Sequence, residues 1–134
     1  MVKSDPVSDF LKGRGCPAHV TRGGLKGLVE NWEHIVKQVT EGYSLGLDDY
    51  LNDMDGRQLL EEALGIAPDK EKKKYADRLR QADSKMKKIL APAGQCLWGD
   101  EIAEAEGWSA RQNWWYFMKP LKAGPDLLAE IEDL

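Results

Sequence analysis

Two cysteines and two histidines (Cys16, His19, His34 and Cys96) are the residues best suited to thiol or metal chemistry in this chain. Cys16 and His19 are three positions apart, a spacing compatible with paired metal ligands. A structural zinc site usually takes two such pairs, and the sequence offers one. Metal binding through Cys16 and His19 is therefore an alternative function, and we expect neither a metal nor a cofactor. Whether Cys16 and Cys96 are free thiols stays open.

Acidic residues around Gly56 imitate part of a calcium-binding loop. With Gly56 at the sixth loop position, Asp53, Asp55 and Glu62 fall at ligand positions. Leu51 then occupies the first position, where its side chain cannot donate a ligand. The same carboxylates suit helix capping and turns, and we interpret them as structural.

The sequence contains no recognisable catalytic constellation. No Ser or Cys has the flanking glycines of a nucleophile elbow. Gly23 and Gly24 lack the strand and the Lys-Ser/Thr pair of a phosphate-binding loop. Cys16 and His19 form a thiol–imidazole pair without an evident residue to orient the imidazole. We therefore expect a non-enzymatic protein with no catalytic residues.

An aromatic run near the end of the chain is the best candidate for function. Five tryptophans in 134 residues are many, and tryptophan is common in cores and at interfaces. The sequence favours a helical protein-interaction or regulatory protein whose partner is another protein, and it leaves open which aromatic rings are exposed. The predicted binding patch consists of Trp108, Arg111, Trp114, Trp115 and Tyr116.

A basic segment in the middle of the chain supports a second hypothesis, that the protein associates with nucleic acid. Residues 68–95 carry 9 Lys/Arg and 4 Asp/Glu, net +5, between a segment 1–67 of net −4 and a segment 96–134 of net −5. Basic side chains on one helix would contact phosphates, although the interspersed acids weaken the field. The candidate residues on this helix, predicted over 68–90, are Lys73, Lys74, Arg78, Arg80, Lys87 and Lys88.

Helices must position these side chains, because apolar residues recur at helical spacing. One stripe predicts a helix over 25–43 and another predicts the helix over 68–90. A segment over 47–64 forms either one helix or two, with Gly56 as its weak point. Shorter helices are expected over 99–106 and from Pro125 onward. The fold class is an all-α bundle of about five helices, with a possible extended segment at 114–118.

Length and composition indicate one domain of ordinary globular character. The chain of 134 residues is 42% hydrophobic and 31% charged, with a formal net charge of −4. Glycines and prolines predict a loosely ordered N-terminal segment over 1–23, followed by a helical domain over 24–134. No apolar run approaches the roughly 20 residues of a membrane span, and we expect a soluble cytoplasmic protein. The oligomeric state is left open.

Overall fold

The computed structural model describes residues 5–134, which form six α-helices and a two-stranded antiparallel sheet. The predicted all-α bundle is therefore confirmed, with one helix more than expected and a small sheet in addition. No helix within these residues is both long and apolar enough to cross a membrane. The elements are α1 Pro6–Gly13, α2 Ala18–Glu41, α3 Leu47–Ile66, α4 Asp69–Lys88, β1 Leu90–Pro92, α5 Asp100–Glu106, β2 Met118–Pro120 and α6 Pro125–Glu132.

The N-terminal region is helical, whereas the sequence predicted loose order over residues 1–23; residues 1–4 lie outside the described part. Asp5 caps α1 by accepting a hydrogen bond from the Val7 amide at 3.0 Å, and Val7 and Leu11 are fully buried. Helix α2 begins at Ala18 and kinks at Gly24, where φ is 57°. Here the glycines separate helices and bend one of them.

Helix α2 packs against α1, α3 and α4. Its predicted apolar stripe is buried, with Trp32 as the largest side chain, and Gly42 follows its last turn as expected. Helix α3 is continuous through Gly56. A Cβ atom at Gly56 would lie 3.3 Å from the Asn31 Nδ2 atom of α2, which is a tight contact. The glycine therefore allows the two helices to approach closely, and this gain offsets its low helix propensity.

The aromatic run closes the bundle instead of extending from it. Residues Trp114–Tyr116 form a single 3-10 turn, and the extended segment follows as β2, paired with β1 in the register Leu90–Pro120. Helix α4 thus ends at Lys88, two residues before the predicted end, and Leu90 begins a strand. Ile89 leaves helical geometry, with φ −110° and ψ 11°, and Leu90 pairs with Pro120 of β2 instead of continuing the helix.

Candidate functional site

Three of the five residues of the predicted binding patch are buried. Trp115 and Tyr116 are each 1% exposed, and Trp114 is buried beside them. The 3-10 turn directs these rings into the bundle, where Trp114 packs edge-on against Trp32 at 6.3 Å between ring centroids. Trp108 is half-buried and Arg111 is exposed.

A buried arginine organises the core behind this turn, and the sequence interpretation missed it. Arg57 is 3% exposed and forms a paired hydrogen bond with Asp83, at 3.2 Å from Nε to Oδ1 and 2.9 Å from Nη2 to Oδ2. Its guanidinium lies 4.4 Å from the ring centroid of Trp115. Trp32 donates its indole N–H to the same Asp83 at 2.8 Å. We call these four residues, Arg57, Asp83, Trp32 and Trp115, the arginine centre.

The sequence did carry a signal for the arginine centre. Arg57 lies three residues after Met54 and three before Leu60, both fully buried, and therefore on the apolar face of α3. An arginine on such a face requires a carboxylate partner when it is buried. Asp83, on α4, supplies it, and Glu61 accepts a further hydrogen bond from Arg57 at 2.9 Å.

Next to the arginine centre, an open cleft of about 790 Å³ lies between α3, α5, the loop after α1 and the aromatic run. Aromatic rings, carboxylates and side-chain amides line it. We call this space the cleft. Its lining is formed by Arg14, Cys16, Asp55, Gln58, Leu59, Glu62, Trp98, Ile102, Glu106, Gly107, Trp108, Gln112, Asn113 and Tyr116.

Hydrogen bonds to one carboxylate oxygen fix the aromatic wall of the cleft. The Oδ1 atom of Asp55 accepts from the Tyr116 hydroxyl at 2.7 Å and from the Trp98 indole N–H at 3.0 Å. Trp108 stacks on Tyr116 with 4.1 Å between ring centroids. Burial, together with the bond to Asp55, raises the pKa of Tyr116, so its hydroxyl stays protonated and keeps donating at neutral pH.

Two apolar side chains of the cleft remain open to solvent. Trp98 is 41% exposed and Ile102, on α5, is 44% exposed, although both belong to types that normally lie in a core. Trp98 is held by Asp55 from α3, which keeps its ring at the surface. Of the predicted aromatic residues only Trp108 stays partly accessible, and Trp98 and Ile102 add exposed apolar surface beside it.

Negative charge dominates the cleft. Its lining includes three carboxylates, Asp55, Glu62 and Glu106, and one guanidinium, Arg14. Arg14 Nη1 lies 2.7 Å from Glu62 Oε1, and this hydrogen bond raises the pKa of Arg14. Helix α5, one wall of the cleft, contains four acidic residues and no basic one. The surroundings therefore favour a cationic ligand.

The predicted nucleic-acid residues do not act as one free basic cluster. Arg78 binds Glu33 of α2 at 2.6 Å, and this hydrogen bond lowers the pKa of Glu33. Arg80 is paired with Asp77 at 2.9 Å. Lys87 lies 4.9 Å from the ring centroid of Trp114. Four lysines of the set are exposed on α4: Lys73, Lys74, Lys87 and Lys88.

Cys16 and His19 lie in a second, smaller groove between the start of α2 and helix α3. Both cysteines are free thiols, and Cys96 is buried, which raises its pKa. Within residues 5–134, no three His, Cys, Asp or Glu side chains converge in a way that could hold a metal ion. The pair therefore gains no further ligand in this part of the chain.

Comparisons of the chain with protein-family models, curated proteins and solved structures found no match. The physical properties of the cleft and of helix α4 are therefore the observations on which a function can be argued.

Proposed function

We propose that this protein is a non-enzymatic helical binding module whose cleft holds a positively charged segment of another protein. The observation that carries the proposal is the exposure of Trp98 and Ile102 beside the carboxylates of Asp55, Glu62 and Glu106. It keeps the protein-interaction role expected from the sequence and moves the contact surface from Trp114–Tyr116 to the cleft. We extend the proposal to a cytoplasmic location, which the two free thiols favour.

The apolar part of the cleft supports a contact with protein. Tryptophan is prominent among residues that dominate binding free energy, particularly where it is surrounded by groups that exclude water. Trp98 and Ile102 provide such an anchor, and Trp108 forms the neighbouring aromatic surface. A volume of about 790 Å³ lies within the range of about 300–1,000 Å³ that is typical of ligand-binding clefts.

The charge of the cleft supports a basic partner. Acidic side chains on α5 and α3 attract a positively charged segment and repel an acidic one. The hydrogen bonds of Asp55 are used to fix Trp98 and Tyr116, and such preorganised aromatic surfaces serve recognition. Because Asp55 holds two aromatic side chains in place, we interpret it as a structural group of a binding site and not as a catalytic acid or base.

A displayed library of random twelve-residue peptides tests the proposal. The wild-type chain is the target, and a Trp98→Ala/Ile102→Ala double variant serves for counter-selection. We expect enrichment of peptides rich in Lys or Arg, with binding at least tenfold weaker to the double variant. Recovery of acidic peptides, or equal binding to both targets, would contradict the proposal. The variant Leu121→Ala removes an apolar side chain that is 59% exposed outside the cleft, and serves as the matched control.

A second candidate function is association with nucleic acid through α4. It is favoured by Lys73 and Lys87, both exposed and two helical turns on either side of Arg80, so that all three share one side of the helix. Neither lysine has a carboxylate within 4.0 Å among residues 5–134. Retention on a random DNA duplex at low salt, lost in a Lys73→Glu/Lys87→Glu variant, is the expected result. Passage of the wild type without retention would exclude this function.

A further inference from the structure

We infer that the cleft recognises an arginine side chain of its partner through its carboxylates, and that Arg14 of the chain itself competes with that arginine by binding one of them, Glu62. The inference rests on the proposed function and adds the ligand chemistry and a built-in competitor. Three observations support it: the arginine centre, the matching set of groups in the cleft, and the position of Arg14.

The arginine centre demonstrates how this protein binds a guanidinium. Asp83 accepts two of the N–H groups of Arg57, and the ring of Trp115 lies 4.4 Å from the guanidinium carbon. A planar guanidinium satisfies a carboxylate and an indole face at the same time, whereas an ammonium group is a compact, strongly hydrated point charge. Sites that combine the two features therefore favour arginine over lysine.

The cleft contains the same two features, an indole ring and carboxylates, and here they are accessible to solvent. Trp98 provides an exposed indole, and Asp55, Glu62 and Glu106 provide carboxylates around it. Asp55 uses Oδ1 for both of its hydrogen bonds within residues 5–134, and its Oδ2 atom accepts none there. An entering guanidinium thus finds an available carboxylate oxygen next to an exposed ring.

Arg14 already binds one of these carboxylates from the side of α1. Its Nη1 atom is 2.7 Å from Glu62, and the two side chains are 50% and 34% exposed. A single contact of this exposure is weak, because solvent screens the charges and both long side chains are ordered to make it. A partner arginine would displace Arg14 from Glu62, and removal of Arg14 is expected to strengthen binding about two- to fivefold.

Two short peptides test the ligand chemistry: acetyl-Gly-Arg-Gly-Arg-Gly-amide and the same peptide with lysine at both positions. Binding is followed through the Trp98 indole N–H signal in NMR titrations at fixed ionic strength. We expect the arginine peptide to bind at least about fivefold more tightly and to shift the Trp98 signal. We further expect Arg14→Ala to tighten binding of the arginine peptide. Arg22→Ala changes the net charge equally at an exposed position of α2 outside the cleft, and should leave the affinity nearly unchanged.

The outcomes separate this inference from the proposed function. Equal binding of the lysine and arginine peptides would overturn the arginine preference, whereas library-selected basic peptides that still depend on Trp98 would uphold the proposed function. Weaker binding in Arg14→Ala, or equal tightening in Arg22→Ala, would overturn the competition. If neutral oligosaccharides shift the Trp98 signal and neither basic peptide does, both the inference and the proposed function fail.

Discussion

The arginine centre and the cleft are built from the same residue types and attached to the same stretch of α3, yet they have different properties. Arg57 faces the core and Asp55, two residues earlier, faces the cleft. In the core, both oxygens of Asp83 and the ring of Trp115 surround a resident guanidinium. In the cleft, Trp98 is 41% exposed and Asp55 retains an oxygen without a protein donor among residues 5–134.

The difference indicates what turns an aromatic–carboxylate cluster into a candidate binding site. When the carboxylate and the guanidinium pair with each other away from bulk water, the cluster stabilises the packing of helices. When one carboxylate oxygen has no protein donor among the described residues and one ring is exposed, the same chemistry is available to a ligand. Composition alone does not distinguish these cases, since both clusters contain tryptophan and aspartate.

The largest expected effect is in the arginine centre. Arg57→Ala leaves Asp83 partly buried without its cation, and we expect the free energy of unfolding to fall by about 3–5 kcal/mol. Urea denaturation followed by circular dichroism measures it. Arg22→Ala, at an exposed position, should change stability by less than about 0.5 kcal/mol. A loss of less than about 1 kcal/mol for Arg57→Ala would show that the centre contributes little to the fold.

Two tryptophan substitutions compare the regions directly. Trp115→Ala removes a ring that is 1% exposed, and should lower the free energy of unfolding by about 3–5 kcal/mol. Trp98→Ala removes an exposed ring and one hydrogen bond, and should cost less than about 1 kcal/mol while peptide binding is lost. Urea denaturation of both variants, with library-selected peptides as ligands, gives the comparison. Similar losses of unfolding free energy in the two variants would contradict the distinction between a buried core ring at Trp115 and an exposed ring at Trp98.

Much of the helical bundle was predictable, because it depends on local periodicity. The stripe from Leu25 to Val39 and the proline at the start of α6 are signals carried within each segment. The ends of elements were less predictable where a turn or strand competes, as at Leu90. The pairing of β1 with β2 could not be recognised from the sequence. Strands of three residues that contain proline are too short to show an alternation of apolar and polar residues.

The cleft was not predictable from the sequence because its parts are distant in the chain. Trp98 and Asp55 are separated by 43 positions, and Arg14 and Glu62 by 48. The sequence directed attention to Trp114–Tyr116, where aromatic density is highest, but density does not reveal which side of a turn faces the core. The exposed Trp98 is isolated in sequence and had no comparable signal.

A smaller effect is expected from the hydroxyl that holds the aromatic wall of the cleft. Tyr116→Phe removes the hydrogen bond to Asp55 and should lower the free energy of unfolding by about 1 kcal/mol. Asp55 then holds Trp98 alone, so we expect a broader Trp98 indole N–H signal and weaker peptide binding. Tyr43→Phe removes a comparable hydroxyl bond to Asp53 and is the matched control. An unchanged Trp98 signal in Tyr116→Phe would contradict the positioning role of the hydroxyl.

The smallest effect concerns Asp53, a second carboxylate of α3 that accepts a tyrosine hydroxyl. Burial raises the pKa of Asp53, although the bond from Tyr43 opposes this shift; Asp49 adds to the increase, and His34 reduces it. The folded state therefore holds the proton more tightly than the unfolded chain does, whose pKa is about 3.9. Stability contributed by protonated Asp53 is present at low pH and is lost as pH rises through the raised folded pKa.

Asp53→Asn removes this titration and retains an oxygen that can accept the Tyr43 hydroxyl. The stability of the variant relative to the wild type should therefore increase as pH rises above about 4, in urea titrations at constant ionic strength. Asp133→Asn makes the same change in formal charge at an exposed site, and separates the local effect from that of net charge. A relative stability that stays constant with pH would mean that Asp53 is as well solvated as the carboxylates of the open cleft. The contrast between buried and open carboxylates would then depend on one buried carboxylate alone, that of Asp83 on α4, which pairs with Arg57.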